Sequence, residues 1–195
     1  MKSLSSLVNS RLLGNNLTLP NVITGVRLLA APVVFYLVVT GLNRMAFWVF
    51  LFAGASDFMD GYIARLYKTE SPLGKILDPI ADKVLLIGVC VALSLSKIMP
   101  WWLSGVIIVR DLLIVGGVFV AWLFNLTLIL RPHLIGKLNT VLQITLCLLL
   151  LGRDFLPWIT TFEDYLEIFV YCTLSTTVLS GMIYARIFYQ SYQSR

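Results

Sequence analysis

Residues 56–83, SDFMDGYIARLYKTESPLGKILDPIADK, carry four aspartates (Asp57, Asp60, Asp78 and Asp82) between two long apolar runs. Asp57 and Asp60 are three apart, Asp78 and Asp82 four apart, and a short polar turn separates the pairs. On a helix, either spacing puts both carboxylates on one face. The flanking runs decide what kind of helix this is.

Those runs are typical of the chain. Its 195 residues are 58% hydrophobic and 13% charged, with a mean hydropathy of +0.88. Soluble domains carry about 25% charged residues. Apolar segments recur at about the 20 residues needed to cross a hydrocarbon core of about 30 Å. Lipid cannot satisfy backbone polar groups, and continuous rather than alternating apolar runs favour helices over a barrel. The expected fold is therefore all-α: a polytopic membrane protein with six transmembrane helices over 20–41, 45–67, 78–98, 101–124, 133–156 and 165–188. Residues 20–195 form one domain, preceded by a juxtamembrane segment, 1–19. There Leu4, Leu7, Val8, Arg11 and Leu12 recur at helical spacing, as in an amphipathic surface helix, with a disordered start as the other reading.

The net charge of +5 is scattered near helix ends rather than gathered into a stripe, so nucleic acid is not an expected partner. Lys2, Arg11, Arg65, Lys68, Lys75, Arg131, Arg186 and Arg195 fall on one side. Arg44, Lys97 and Arg153 fall on the other, beside Asp154, Glu163, Asp164 and Glu167. The positive-inside bias predicts that both termini and the 67–77 turn are cytoplasmic, with Trp101, Trp102 and Trp158 at the far interface. The active site would then open on the cytoplasmic side, and in a bacterium the membrane would be the inner one. Cys90, Cys147 and Cys172 lie in apolar segments without CxxC spacing and read as small buried hydrophobes.

A turn as short as 68–77 makes spans two and three antiparallel neighbours, so the two carboxylate pairs can converge near the membrane interface. Converging carboxylates repel one another and lose solvation. Two divalent cations would compensate: carboxylate oxygens suit Mg²⁺ or Mn²⁺, and Mg²⁺ commonly shares carboxylates with substrate phosphates. Gly61 and Gly74 would let a bulky ligand reach the backbone, and Arg65 could meet a phosphate with its planar fork. The alternative is a charge network in which Arg65, Lys75 and Lys83 neutralise the aspartates.

The pattern Asp57-x2-Asp60-Gly61-x2-Ala64-Arg65-x8-Gly74-x3-Asp78-x3-Asp82 resembles the signature of the CDP-alcohol phosphotransferase (phosphatidyltransferase) family. The Pro20-Asn21-x-Ile23-Thr24-x2-Arg27 start of span one and the six-span layout are similar too. The resemblance implies an enzyme that displaces CMP from a CDP-linked lipid by an acceptor hydroxyl. It implies two divalent ions on Asp57, Asp60, Asp78 and Asp82, with Asp82 also taking the hydroxyl proton. It further implies a CDP site formed by Asn21, Thr24, Asp57, Asp60, Gly61, Ala64, Arg65 and Gly74, and a homodimer.

Two further patterns bear on the acceptor: Arg110-Asp111 in span four and Lys137-Leu138-Asn139-Thr140 in span five. Asp111, adjacent in sequence, does not share Arg110's helical face, so Arg110 is expected to seek an aspartate of another helix or a ligand phosphate. Lys137 could equally snorkel to the headgroups. Arg27, Arg110 and Lys137 together suit a phosphate-bearing acceptor. Phosphatidylglycerophosphate synthases usually show Arg-Glu and Lys-x-Lys-Thr at these places. The combination here is more similar to CDP-diacylglycerol-dependent cardiolipin synthases, with phosphatidylglycerol as acceptor; glycerol 3-phosphate is the alternative, and inositol-type acceptors follow. An ion-coupled transporter would use the aspartates differently, but matched broken-helix signals are missing. A non-catalytic scaffold should lack one of the four.

Overall fold

The computed structural model describes the backbone over 19–67, 74–123, 134–157, 159 and 163–193, and side chains within 25–56, 81–117, 134–157, 159 and 165–190. Among the described residues the chain is helical without strands. Six helices follow in order: α1 Leu19–Val39, α2 Asn43–Tyr67, α3 Gly74–Leu95, α4 Trp101–Leu123, α5 Leu134–Gly152 and α6 Glu163–Gln193. The amphipathic reading of 1–19 falls outside the described residues, as does Trp158.

Each helix coincides with one apolar run of the sequence, and local chemistry ends two of them. After α1, Gly41 takes a left-handed φ of 78°, and the Leu42 amide bonds the Leu37 carbonyl at 2.8 Å; glycine adopts that conformation without a Cβ penalty. Lys97 does the same after α3, with φ 57° and an Ile98-to-Leu93 bond of 2.9 Å. A side chain in that region costs roughly 1–2 kcal/mol. The tight closure turns the chain directly into α4.

Helix α1 lies against both α2 and α3; α6 packs on α4 and α5; α2 also meets α5, and α3 meets α4. The core is aliphatic and small: Ala31, Val34 and Val38 of α1 meet Val89, Cys90, Ala92 and Leu93 of α3, with Leu103, Ile107, Leu146 and Leu151 completing it. Ala and Val on the facing sides of α1 and α3 permit a close approach. Gly117 does likewise for α4 and α6, since a Cβ there would meet the Phe188 ring. At one end of the bundle, Asn43 Nδ2 donates to Asp154 Oδ2 at 2.8 Å and Phe47 packs edge-on to Phe155, tying the start of α2 to the turn after α5.

Polarity is distributed inside out. Leu29, Tyr36, Phe52, Leu95, Val109, Leu134 and Met182 are exposed on the outside, whereas Arg27, Arg110, Asp111, Asn139, Gln143, Thr173, Thr177 and Ser180 are buried. Water would punish such a surface; hydrocarbon would not. Among the described residues, Leu134–Gly152 and Tyr165–Gln190 are long and apolar enough to cross a membrane, and Gly25–Val39 is apolar but shorter. Cys90 and Cys147 are buried as expected, but Cys172 is exposed on α6, because its neighbour Thr173 takes the inward position.

Lipid offers no hydrophobic drive to helix pairing, so buried polar groups become the adhesive. Asn139 and Gln143, four apart on α5, are buried, as are Thr173, Thr177 and Ser180 of α6, and Gln143 Nε2 donates to Thr177 Oγ1 at 3.4 Å. Asn139 Oδ1 accepts from Thr176 at 3.0 Å and from Thr177 at 2.8 Å. The spacing of Thr173, Thr177 and Ser180 within span six was a legible sign of this seam.

Candidate active site

Asp57, Asp60, Gly61, Ala64 and Arg65 lie on α2, and Gly74 and Asp78 on α3. Their side chains, like those of Asn21 and Thr24 on α1, fall outside the described residues. Asp82 is described. It sits two turns into α3 with its side chain 49% exposed, and Arg27 Nη1 of α1 reaches its Oδ1 at 2.8 Å. The Arg27 side chain is almost wholly buried, at 3%. Burying a guanidinium requires an anionic or strongly polar partner. Arg27, expected to serve the acceptor, stands at this carboxylate.

The next residue on α3, Lys83, turns the other way. Its Nζ lies 2.7 Å from Asp111 Oδ1 of α4, rather than neutralising the aspartate cluster as the charge-network reading suggested. Arg110 Nη1 reaches the same oxygen at 2.6 Å. This corrects the expectation that Arg110 would avoid its neighbour. The Cα–Cβ vectors of adjacent helical residues do diverge, but the long arginine stem lets the guanidinium swing back. Ser180 Oγ fixes that orientation by accepting from Nε at 3.1 Å and from Nη2 at 2.7 Å. Tyr184 lies beneath the guanidinium, 5.8 Å from carbon to ring centre.

Gly136, at the start of α5, closes over this group: a Cβ would stand 3.2 Å from Tyr184 Oη and 3.6 Å from Arg110 Nη2. Lys137, the next residue, is exposed. Asp111 is buried against two cations. Removing one partner of a buried ion pair costs about 3–5 kcal/mol, so Asp111→Ala should lower the unfolding free energy in detergent by an amount of that order and the midpoint with it. An unchanged midpoint would show that the cluster does not hold α3 to α4.

A cavity of about 420 Å³ opens between α2, α3 and α5, with Asp82, Lys83 and Thr140 in its wall beside Gly54 and Ala55 of α2. Gly54 lies three residues before Asp57, so the cavity adjoins the helix segment bearing the first aspartate pair. The described part of the site is thus a half-exposed carboxylate and an ammonium on successive residues, each braced from another helix. Among the described residues, no group of three or more metal-ligating side chains gathers. The donor chemistry at Asp82 is hard carboxylate oxygen, which fits Mg²⁺ or Mn²⁺.

The family model described as CDP-alcohol phosphatidyltransferase matches residues 17–179. A cardiolipin synthase (CMP-forming)/mitochondrial hydrolase fusion protein of Schizosaccharomyces pombe is 37% identical over 185 residues, covering 87% of this chain and 31% of that protein. The cardiolipin synthase (CMP-forming) of Rattus norvegicus is 34% identical over 188 residues, covering 87% of this chain and 61% of the rat protein. The chloroplastic CDP-diacylglycerol–glycerol-3-phosphate 3-phosphatidyltransferase 1 of Oryza sativa subsp. japonica is 33% identical over 186 residues, covering 86% of this chain and 56% of the rice protein. The chain spans less than two thirds of the length of each of these relatives.

Proposed function

Since the chain belongs to the CDP-alcohol phosphatidyltransferase family, we propose that it transfers the phosphatidyl group of CDP-diacylglycerol to a hydroxyl of phosphatidylglycerol, releasing CMP and forming cardiolipin. The observation that carries this reading is Asp82. It is a carboxylate held by Arg27 at 2.8 Å, in the wall of a cavity and at the end of the eight-position pattern from Asp57. Relatives named as CMP-forming cardiolipin synthases support phosphatidylglycerol as acceptor.

In the proposed reaction the acceptor oxygen bonds the phosphatidyl phosphorus, the bond from that phosphorus to the CMP oxygen breaks, and the hydroxyl proton passes to Asp82. A base must lie within hydrogen-bond reach of the proton it takes; Arg27 keeps Asp82 in one orientation for that purpose. Asp57, Asp60, Asp78 and Asp82 would hold two Mg²⁺ or Mn²⁺ ions. When bound, such ions neutralise the charge of the diphosphate and of the departing nucleotide. Asn21, Thr24, Gly61, Ala64, Arg65 and Gly74 would border the CDP group. Lys137, exposed on α5, adds positive charge for an anionic acceptor, with Arg110 behind it in its buried bonds to Asp111 and Ser180.

The six helices would all span the membrane, with the active site on the cytoplasmic side, and two copies would form a homodimer. The exposed apolar residues around the bundle support immersion in lipid. The test supplies purified protein with CDP-diacylglycerol and either phosphatidylglycerol or glycerol 3-phosphate, and identifies the lipid formed. Cardiolipin is the expected product. Phosphatidylglycerophosphate alone would reassign the acceptor, and no CMP release with either would overturn the reaction.

A further inference from the structure

We propose that the cavity between α2, α3 and α5 seats the acceptor lipid, with Lys83 as the residue that reads the acceptor's phosphodiester and the deeper wall as the bed for one acyl chain. The inference rests on the reading of the chain as a phosphatidyl transferase and adds where its second substrate lies.

All three helices grade the cavity in the same direction. On α3, Asp82 and Lys83 are followed one turn deeper by Leu85 and Leu86. On α5, Thr140 is followed one and two turns deeper by Ile144 and Leu148. On α2, which runs the opposite way, small Gly54 and Ala55 stand at the polar level, and Phe50 and Leu51 lie below. A cavity polar at one end and apolar at the other suits an amphiphile entering tail first. Its volume of about 420 Å³ falls within the roughly 300–1,000 Å³ of small-molecule sites.

The charges select the head. Lys83 and Arg110 share the single carboxylate of Asp111, so two cations and one anion leave one positive charge over. A phosphodiester carries one negative charge, whereas the diphosphate of the donor carries more and faces the aspartates. Arg110 is drawn back by Ser180, which leaves Lys83, its side chain 23% exposed, as the cation in the cavity wall. Asp82 adjoins it. An acceptor with a free hydroxyl a few bonds from a phosphodiester would thus meet a carboxylate and an ammonium on consecutive residues. Glycerol 3-phosphate has no chain to fill the level of Ile144 and Leu148, so it gains nothing from that wall.

The decisive experiment uses the intact protein in nanodiscs with phosphatidylglycerol carrying a diazirine midway along one acyl chain. Irradiation should label α5 near Ile144–Leu148 and α2 near Phe50, and unlabelled phosphatidylglycerol should suppress the labelling. Labelling confined to helices other than α2, α3 and α5, or suppression by CDP-diacylglycerol as strong as that by phosphatidylglycerol, would overturn the assignment, the second result giving the cavity to the donor. In turnover assays, Lys83→Met should raise the KM for phosphatidylglycerol roughly tenfold to a hundredfold, as expected for a lost charge-assisted hydrogen bond, and leave that for CDP-diacylglycerol unchanged. Lys83→Arg should restore part of the loss. Ile144→Trp, which fills the apolar end without touching Lys83, should raise the same KM. Wild-type turnover to cardiolipin with an unaltered KM in Lys83→Met and Ile144→Trp refutes the seat alone; failure of the wild-type protein to form cardiolipin refutes the phosphatidylglycerol reading beneath it, and failure to release CMP with either acceptor refutes the transferase reading.

Discussion

Asp82→Asn lowers CMP release from the purified protein by at least about 10²–10⁴-fold, the range expected for losing a positioned general base, while the helical fold and its unfolding midpoint survive. Survival is expected because asparagine keeps an oxygen where Arg27 Nη1 now meets Oδ1 at 2.8 Å and because the side chain is half-exposed. What asparagine lacks is the capacity to accept the acceptor hydroxyl's proton and the full negative charge for a cation. Turnover within the wild-type range would remove Asp82 from the chemistry. Collapse of the fold would mean that the Arg27 pair is chiefly a structural bond.

Chelation is the second large effect. Excess chelator should bring turnover to background, and either Mg²⁺ or Mn²⁺ should restore it. Hard carboxylate oxygens favour these ions, and the aspartate pattern contains neither histidine nor cysteine, so zinc should not restore it to the same extent. Full turnover in excess chelator would leave the four aspartates as the charge network with Arg65 and Lys75, joined by Arg27 at Asp82 rather than by Lys83.

The helices were legible because a long apolar run is a one-dimensional signal. The expected 101–124 is observed as Trp101–Leu123, and 20–41 as Leu19–Val39. The start of α3 was not: the expected span begins at 78, yet the backbone is helical from Gly74. The aspartate pattern was equally legible, since its spacing is fixed along two helices. Partnerships between helices were not. Arg27 with Asp82 and Lys83 with Asp111 depend on how each helix is rotated and which neighbour it meets, and a single sequence sets neither. The bond from Arg110 to Asp111 was hidden for another reason: a rule about Cβ directions was applied to a side chain long enough to escape it. The polar seam of Asn139, Gln143 and Thr177 carried a helical period in the sequence, but a period reports a shared face without saying that the face is buried.

The claim on which the rest stands is that the aspartates of α2 and α3 jointly bind two divalent cations with the CDP group. Titration of Mn²⁺ into the purified protein in the presence of CDP, followed by electron paramagnetic resonance, measures this without turnover. The account predicts two bound Mn²⁺ per chain in the wild type, with binding impaired in both Asp57→Asn and Asp82→Asn. A protein that binds no Mn²⁺ under these conditions, or binds it equally well in both variants, would contradict it.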